Sequence, residues 1–313
     1  MSLYYSLFNH NNLSIDDVIN LYELKTSTFP SPKRKGKMEK AKSIDEISDK
    51  FDAFIFDSFG VLNIGSTLIK NVPSALKKLK RKEKIIIVLT NGASYPTSNK
   101  VETFSNWKLP FNSSEVISSR DLLKNHLKNE KKITWGVVGS PGSDIDELGI
   151  SGHILGKNMN QIDKCEGIIY LGCEYWSDKN QKTLEDHVVK NSLKVLVGNP
   201  DIIAPQKSSF SVEPGFWSYN FHKLSDSKPL YFGKPHNQIF DLAINKIMSL
   251  SNKSISLDRI AMVGDSLHTD ILGGLSSKIS TILVTNHGLF KDCDYYNAIE
   301  KTSIFPDWII PSL

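Results

Sequence analysis

Short apolar runs rich in Ile, Val and Phe recur along this chain and alternate with segments of helical spacing. These runs include residues 51–56, 84–89, 133–138, 167–171, 194–197, 259–263 and 279–284. Their length and β-branched content predict strands that are buried on both faces. Segments 72–81, 178–191 and 237–250 lie between them and repeat apolar residues at helical spacing. The alternation predicts the α/β class with parallel sheets.

Length and composition favour two compact domains without a membrane or nucleic-acid partner. The chain has 313 residues, 40% hydrophobic and 23% charged, with a net charge of +4. Its basic run at 33–37 is interpreted as a solvated loop. Neither a signal-peptide pattern nor an apolar run of about 18 residues is found. The three cysteines lack paired spacing, which favours reduced thiols in the cytoplasm.

Polar residues follow two neighbouring predicted strands. Asp57 comes directly after the run 51–56, and Thr90, Asn91 and Gly92 come directly after the run 84–89. Ligands of open α/β sheets bind outside the carboxyl ends of the strands, so these residues are placed for chemistry. Each pattern alone is also an ordinary turn sequence, so neither identifies a site by itself.

Two later motifs add a lysine and two carboxylates. Lys234 precedes a proline just ahead of the helical segment 237–250, and Asp265 and Asp270 closely follow the run 259–263. Carboxylate oxygens are ligands that Mg²⁺ prefers, usually one or two together with water and phosphate oxygens. Four motifs at strand ends and helix starts, in this order, are difficult to explain as turns.

The order of these motifs resembles the haloacid dehalogenase (HAD) superfamily from about residue 51 onward. The long interval between Gly92 and Lys234 is similar to the subfamily with a large α/β cap, which includes pyridoxal phosphatase, phosphoglycolate phosphatase and nitrophenyl phosphatases. The resemblance implies a Rossmann-like parallel-sheet core with an inserted cap. The expected division is a helical extension at 1–50 packed on the core, the core at 51–97 and 225–313, and the cap at 98–224.

The resemblance also implies a Mg²⁺-dependent phosphatase in which Asp57 attacks phosphorus and forms an aspartyl-phosphate. Mg²⁺ would be held by Asp57, the backbone carbonyl of Phe59 and Asp265, with Asp270 in support. The residues expected to act on or bind the substrate are Asp57, Thr90, Asn91, Gly92, Lys234, Asn199 and Asp201. The expected partner is a small phosphorylated metabolite such as a sugar phosphate, and a homodimer is one assembly that the cap allows.

One position departs from the family pattern. Phosphatases of this superfamily carry a second Asp two residues after the nucleophile, where it protonates the leaving group, and here that residue is Phe59. Four interpretations stay open: a phosphohydrolase for good leaving groups or with another acid such as His268 or His236, a phosphotransferase, a C-halide hydrolase, and a non-catalytic binding protein on the same scaffold.

Overall fold

Two parallel sheets flanked by helices form the protein, whose computed structural model describes residues 13–206, 210–224 and 228–313. Within this part of the chain the strands are β1 (Glu39–Lys40), β2 (Ala53–Phe56), β3 (Asn63–Ile64), β4 (Thr67–Leu68), β5 (Ile85–Thr90), β6 (Val116–Ser118), β7 (Thr134–Val138), β8 (Ser151–Leu155), β9 (Gly167–Tyr170), β10 (Lys194–Val197), β11 (Ile203–Pro205), β12 (Phe210–Val212), β13 (Leu230–Tyr231), β14 (Ile260–Gly264), β15 (Ser280–Val284) and β16 (Trp308–Ile310). The α-helices are α1 (Ile15–Glu23), α2 (Ile44–Ile47), α3 (Val72–Arg81), α4 (Thr97–Asn106), α5 (Ser119–Leu127), α6 (Asp178–Asn191), α7 (Pro214–Ser218), α8 (Phe221–Leu224), α9 (Asn237–Leu250), α10 (Leu272–Ser276) and α11 (Tyr295–Thr302).

The larger sheet has the strand order β1-β16-β15-β14-β2-β5-β6, and every pairing in it is parallel. Its central strands β2, β14 and β15 are fully buried because helices cover both faces, as their continuous apolar sequences predict. This arrangement confirms the α/β class and the parallel core. Because β2 lies between β14 and β5, the residues that follow these three strands meet at one edge of the sheet.

The smaller sheet has the order β13-β10-β9-β7-β8 and is also parallel. Two short strands fall on the other side of the expected boundaries: β6 at Val116–Ser118 pairs with β5 of the large sheet, and β13 at Leu230–Tyr231 pairs with β10 of the small one. Strands of two or three residues carry too weak a pattern to assign to a sheet from sequence. The division at 98 and 224 itself stays a prediction.

The amino-terminal segment packs against both the large-sheet side and the small-sheet side of the protein. Ser14 caps the start of helix α1: its side chain accepts from the Asp17 N–H, and the Asp17 carboxylate accepts from the Ser14 N–H at 2.9 Å. Its buried face, Val18, Ile19, Leu21 and Tyr22, belongs to one apolar cluster with Phe216 and Trp217 of the small-sheet side and Leu267 and Ile271 of the large-sheet side. Residues 1–12 of the expected extension lie outside the described residues.

Residues 34–41 extend the large sheet at its edge. Strand β1 pairs with β16, and both Arg34 guanidinium nitrogens donate to the buried Asp307 carboxylate at 2.5 Å. Asp307 also accepts from the Thr281 N–H at 2.9 Å, which joins the edge to β15. Arg34 is therefore a structural residue, whereas Lys33, Lys35 and Lys37 of the same basic run are exposed.

No helix in the described ranges combines the length and apolar character that crossing a bilayer requires.

We expect Asp307→Ala to destabilise the protein by about 2–4 kcal/mol, because it leaves the half-buried Arg34 charge and the Thr281 N–H without their acceptor. Chemical denaturation followed by circular dichroism measures this loss. Asp49→Ala is the matched control, since Asp49 is exposed and its removal should cost about 0.5 kcal/mol or less. Equal stability of the two variants would contradict a structural role for the Arg34–Asp307 pair.

Candidate active site

Three adjacent strands deliver the candidate catalytic residues to one edge of the large sheet. Asp57 follows β2, Thr90 ends β5, and Asp265 follows β14. The backbone N–H of Asp57 donates to the Val263 carbonyl at 2.9 Å, which continues the β2–β14 ladder up to the carboxylate. All three side chains are buried. The sequence prediction of a shared edge is therefore confirmed in geometry for these residues.

Lys234 lies between two of the carboxylates. Its Nζ donates to Asp57 Oδ1 at 2.5 Å and to Asp270 Oδ1 at 2.7 Å, and the ammonium is buried. Burial by itself lowers the pKa of a lysine, but the charges of Asp270 and Asp57 outweigh it and hold the pKa of Lys234 above its ordinary value. The lysine stays protonated and partly neutralises the carboxylates.

Asp57, Asp265 and Asp270 form a buried carboxylate cluster whose oxygens lie within 4.8 Å of one another. Burial, together with the neighbouring carboxylates, raises the pKa of Asp265 well above its ordinary range. Burial likewise raises the pKa of Asp270 to about 7, although Lys234 opposes the shift. One lysine does not balance the negative charge of three buried carboxylates. Hard oxygen donors at this spacing suit a divalent cation such as Mg²⁺, which would supply the remaining positive charge.

Two glycines make room for the Asp265 carboxylate. Gly60 and Gly288 have φ angles of +76° and +73°, and a Cβ at either would lie 2.2 Å and 1.9 Å from Asp265 Oδ2. The same oxygen accepts from the Leu289 N–H at 2.7 Å. Glycine at both positions therefore lets the backbone approach the carboxylate from two sides, which a larger residue would prevent.

Asn91 connects this site to the small-sheet side. Its Oδ1 accepts from the Lys234 N–H at 2.7 Å, while its Nδ2 donates to the Lys234 carbonyl at 3.0 Å and to Asp201 Oδ1 at 2.8 Å. Asn199 accepts from the Asp201 N–H and donates to Glu213. The sequence predicts Asn199 and Asp201 as site residues, whereas Glu213 lies in no motif.

A cavity of about 290 Å³ opens onto the carboxylate cluster. Its lining includes all of the predicted substrate-contacting residues, namely Asp57, Thr90, Asn91, Gly92, Asn199, Asp201 and Lys234. Phe59 and Asp265 also line it, whereas Asp270 lies behind Lys234. Burial raises the pKa of Asp201 to about 6 and that of Glu213, on the same wall, to about 7.

The two histidines considered as substitute acids do not reach this cavity. Among the described lining residues neither His268 nor His236 occurs. His268 bonds to Glu23 Oε1 at 2.7 Å and stacks on Tyr22 at 4.8 Å between ring centroids. Burial lowers the pKa of His236 to about 4, so its ring is neutral near pH 7 and has no imidazolium proton to donate. A proton for the leaving group therefore does not come from either ring.

The amino-terminal segment supplies a part of the site that sequence analysis missed. Tyr22 lines the cavity, and its hydroxyl accepts from the Ile202 N–H at 3.2 Å. Lys25 is fully buried and donates to the Gly215 carbonyl at 3.0 Å, and burial lowers its pKa to about 7. The helical spacing of α1 shows its apolar face, but no local pattern shows what that face packs against.

Lys100 is the second missed residue. It is half-buried in the first turn of α4, lines the cavity, and places its Nζ 4.5 Å from the centroid of the Phe59 ring. Burial lowers its pKa, and the charge of Asp57 opposes that shift. A lysine in a polar helix gives no sequence signal for such a position.

Comparisons with known proteins agree with this geometry. Residues 54–150 match a family model described as haloacid dehalogenase-like hydrolase, and residues 231–313 match a second HAD-hydrolase-like model. A 4-nitrophenylphosphatase of Schizosaccharomyces pombe is 25% identical over 88% of this chain and 97% of its own. The ribonucleotide monophosphatase NagD of Escherichia coli is 26% identical over 83% of this chain and 95% of its own.

Solved structures share the fold. A structure described as a possible sugar phosphatase of the HAD superfamily from Cytophaga hutchinsonii superposes with a TM-score of 0.76 at 24% identity, covering 88% of this chain and 98% of that one. The chain belongs to the haloacid dehalogenase-like hydrolases. The family predicted from the four motifs is thereby confirmed.

We expect Gly288→Ala to weaken divalent-cation binding by about 10- to 100-fold, because the added Cβ displaces the Asp265 carboxylate. Calorimetric titration of Mg²⁺ or Mn²⁺ into the protein measures this change. Gly149→Ala is a matched control: Gly149 also has a positive φ, of +72°, but nothing lies within 4 Å of an added Cβ. A similar loss in both variants would show a general backbone effect and contradict the specific role of Gly288.

Proposed function

We propose that this protein is a Mg²⁺-dependent phosphohydrolase that acts on a small phosphorylated metabolite through an aspartyl-phosphate. The observation that carries the proposal is the buried contact of Lys234 with both Asp57 and Asp270, beside Asp265 and next to a cavity that Asp57, Asp265 and Lys234 line. The relatives named above are phosphatases, which supports the same reaction class.

Asp57 is the proposed nucleophile. One carboxylate oxygen forms a bond to phosphorus while the bond from phosphorus to the ester oxygen breaks, and the electron pair leaves with that oxygen. Water then attacks the aspartyl-phosphate and releases inorganic phosphate, which restores the carboxylate. Lys234 reduces the repulsion between Asp57 and the phosphate dianion. The Thr90 hydroxyl accepts from the Gly92 N–H at 3.2 Å, which leaves its own O–H to donate to a phosphate oxygen.

The carboxylates and their backbone supports fit a magnesium ion. Asp57, Asp265 and the Phe59 carbonyl are the proposed ligands, with Asp270 holding Lys234 and accepting from the Ser266 N–H at 3.1 Å. Bound Mg²⁺ would neutralise phosphate charge and act as a Lewis acid. The fit also weighs against C-halide hydrolysis, since enzymes that displace halide in this superfamily dispense with the metal.

The wall contributed by Asn199, Asp201 and Glu213 is proposed to select the organic part of the substrate. These groups line the cavity and are bonded to one another and, through Asn91, to Lys234. Buried carboxyl groups with pKa values of about 6 and 7 can both donate to and accept from substrate hydroxyls near neutral pH. A hydroxylated phosphate monoester, such as a sugar phosphate, matches that chemistry.

A reducing compartment such as the cytoplasm is the proposed location. Cys165, Cys173 and Cys293 are all free thiols, and Cys165 is buried. Disulfides are common in secreted proteins and rare in the cytosol.

We expect Asp57→Asn to abolish phosphate release, because a neutral amide does not attack phosphorus. A phosphate-release assay over small phosphate monoesters, run with Mg²⁺ and with a chelator, measures the effect. Asp241→Asn is the matched control, since Asp241 is exposed on α9 and its variant should keep wild-type turnover. Full activity of Asp57→Asn would eliminate the proposed mechanism.

We also expect a steep dependence of kcat/KM on the leaving group, because Phe59 replaces the usual acid and general acid catalysis contributes about 10²- to 10⁴-fold. With saturating Mg²⁺, 4-nitrophenyl phosphate should react roughly 100-fold faster than phenyl phosphate. The parameter kcat/KM reports the step in which the ester bond breaks. A flat series would mean that another group protonates the leaving oxygen.

A further inference from the structure

Lys100 lines the cavity, and no described residue forms a hydrogen bond or ion pair with its ammonium. Of the described residues that line the cavity, two are cationic, Lys100 and Lys234. Lys234 is engaged by Asp57 and Asp270. In the ranges that the structure describes, no hydrogen bond or ion pair joins the Lys100 ammonium to a side chain or carbonyl, and its contact is the face of Phe59 at 4.5 Å.

The position of Lys100 costs the protein stability, and the nearby charge of Asp57 offsets that cost only in part. Lys100 lies in the first turn of α4, where the helix dipole disfavours a cation, and no side chain caps that end. Its ammonium is also half-buried, which removes part of its hydration. Both penalties are reversed when an anion binds there, because the anion is attracted by the lysine and by the amino end of the helix.

The location of Lys100 relative to Asp57 indicates which part of a substrate it meets. In-line attack by Asp57 places the leaving group on the far side of phosphorus, toward the open cavity. Phe59, two residues after the nucleophile, occupies the position from which related phosphatases reach the leaving oxygen. Since Lys100 lies over the Phe59 ring, it faces the leaving portion of the substrate, whereas Lys234 faces the nucleophile.

We propose that Lys100 is a specificity-determining residue that binds a second anionic group, such as a carboxylate, on the leaving portion of the substrate. The inference rests on the proposed function and narrows its substrate class to phosphate monoesters with two separate negative groups. Asp201 and Glu213 of the same lining are acidic, and Lys234 is already engaged by Asp57 and Asp270, so Lys100 is the favourable place for a second anion. Hydroxyl groups of the same substrate would then lie toward Asp201 and Glu213.

Two phosphonates that differ in one group test this inference without turnover. The probes are 3-phosphonopropanoate and 3-hydroxypropylphosphonate, which have the same chain length and differ in a terminal carboxylate or hydroxymethyl group. Calorimetric titration with saturating Mg²⁺ should show that the wild-type protein binds the carboxylate roughly 10- to 100-fold more tightly. Lys100→Met should bind the two equally, and Lys100→Arg should keep most of the preference.

Matched controls separate this role from a structural one. Lys77→Met removes an exposed lysine of α3 and should leave the preference unchanged. Lys100→Met should bind 3-hydroxypropylphosphonate as the wild type does, which a misfolded variant would not. Failure of the wild type to prefer the carboxylate overturns the inference, and so does a preference that survives in Lys100→Met. Equal weakening of both probes in Lys100→Met also overturns it, since Lys100 would then serve the phosphonate group itself.

Phosphate release from 3-phosphoglycerate and glycerol 1-phosphate, which differ by the same carboxylate, connects the inference to turnover. We expect Lys100→Met to lose roughly 10- to 100-fold in kcat/KM on 3-phosphoglycerate and to change little on glycerol 1-phosphate. A carboxylate preference in binding with no phosphate release from any ester would refute the proposed function and support the Lys100 inference. Phosphate release without that preference would refute the Lys100 inference alone.

Discussion

The buried ammonium of Lys234 between Asp57 and Asp270 is the interaction on which this site depends. Three carboxylates within 4.8 Å of one another repel strongly in a buried environment, and Lys234 is the cation that touches two of them. Its main chain is held at both N–H and carbonyl by Asn91. Asp57, the Lys234 ammonium and the carboxylates of Asp265 and Asp270 are therefore positioned together, so displacement of any one alters the charge balance of the others.

The small-sheet domain and the amino-terminal segment complete a cavity that the large sheet only begins. Asn91 bonds to Asp201 across the two parts, while Tyr22 contacts both the Ile202 backbone and the ring of His268. Glu23 bonds to His268 on the large-sheet side, and Lys25 donates to the Gly215 carbonyl on the small-sheet side. Any opening of the small-sheet domain away from α1 has to break these buried contacts. The first described helix and the residues that follow it therefore connect the two sides of the protein between which the cavity lies.

This chain and its relatives share a fold, and two residues beside the carboxylate cluster bear on what its own cavity attracts. About a quarter of the aligned residues are identical to those of the two named phosphatases, and a solved structure of similar identity shares the fold. Phe59 leaves the backbone carbonyl available to a metal but removes a carboxyl from the leaving-group side, and Lys100 covers the ring that replaces it. In the proposed function, Lys100 beside Phe59 changes which groups the cavity attracts more than it changes the attack on phosphorus.

The seven apolar runs and three helical segments were predictable because periodicity and β-branching are local properties, and they appear as β2, β5, β7, β9, β10, β14 and β15 with α3, α6 and α9. The motif residues were predictable because parallel strands bring their carboxyl ends together. Short strands such as β6 and β13, the partners of α1, and the roles of Glu213 and Lys100 were decided only by the tertiary structure. Their positions depend on which surfaces meet in the folded chain; α1, for example, contacts Ile202 and His268, which lie more than a hundred residues away in sequence. A half-buried lysine has the same sequence signature as a solvated one.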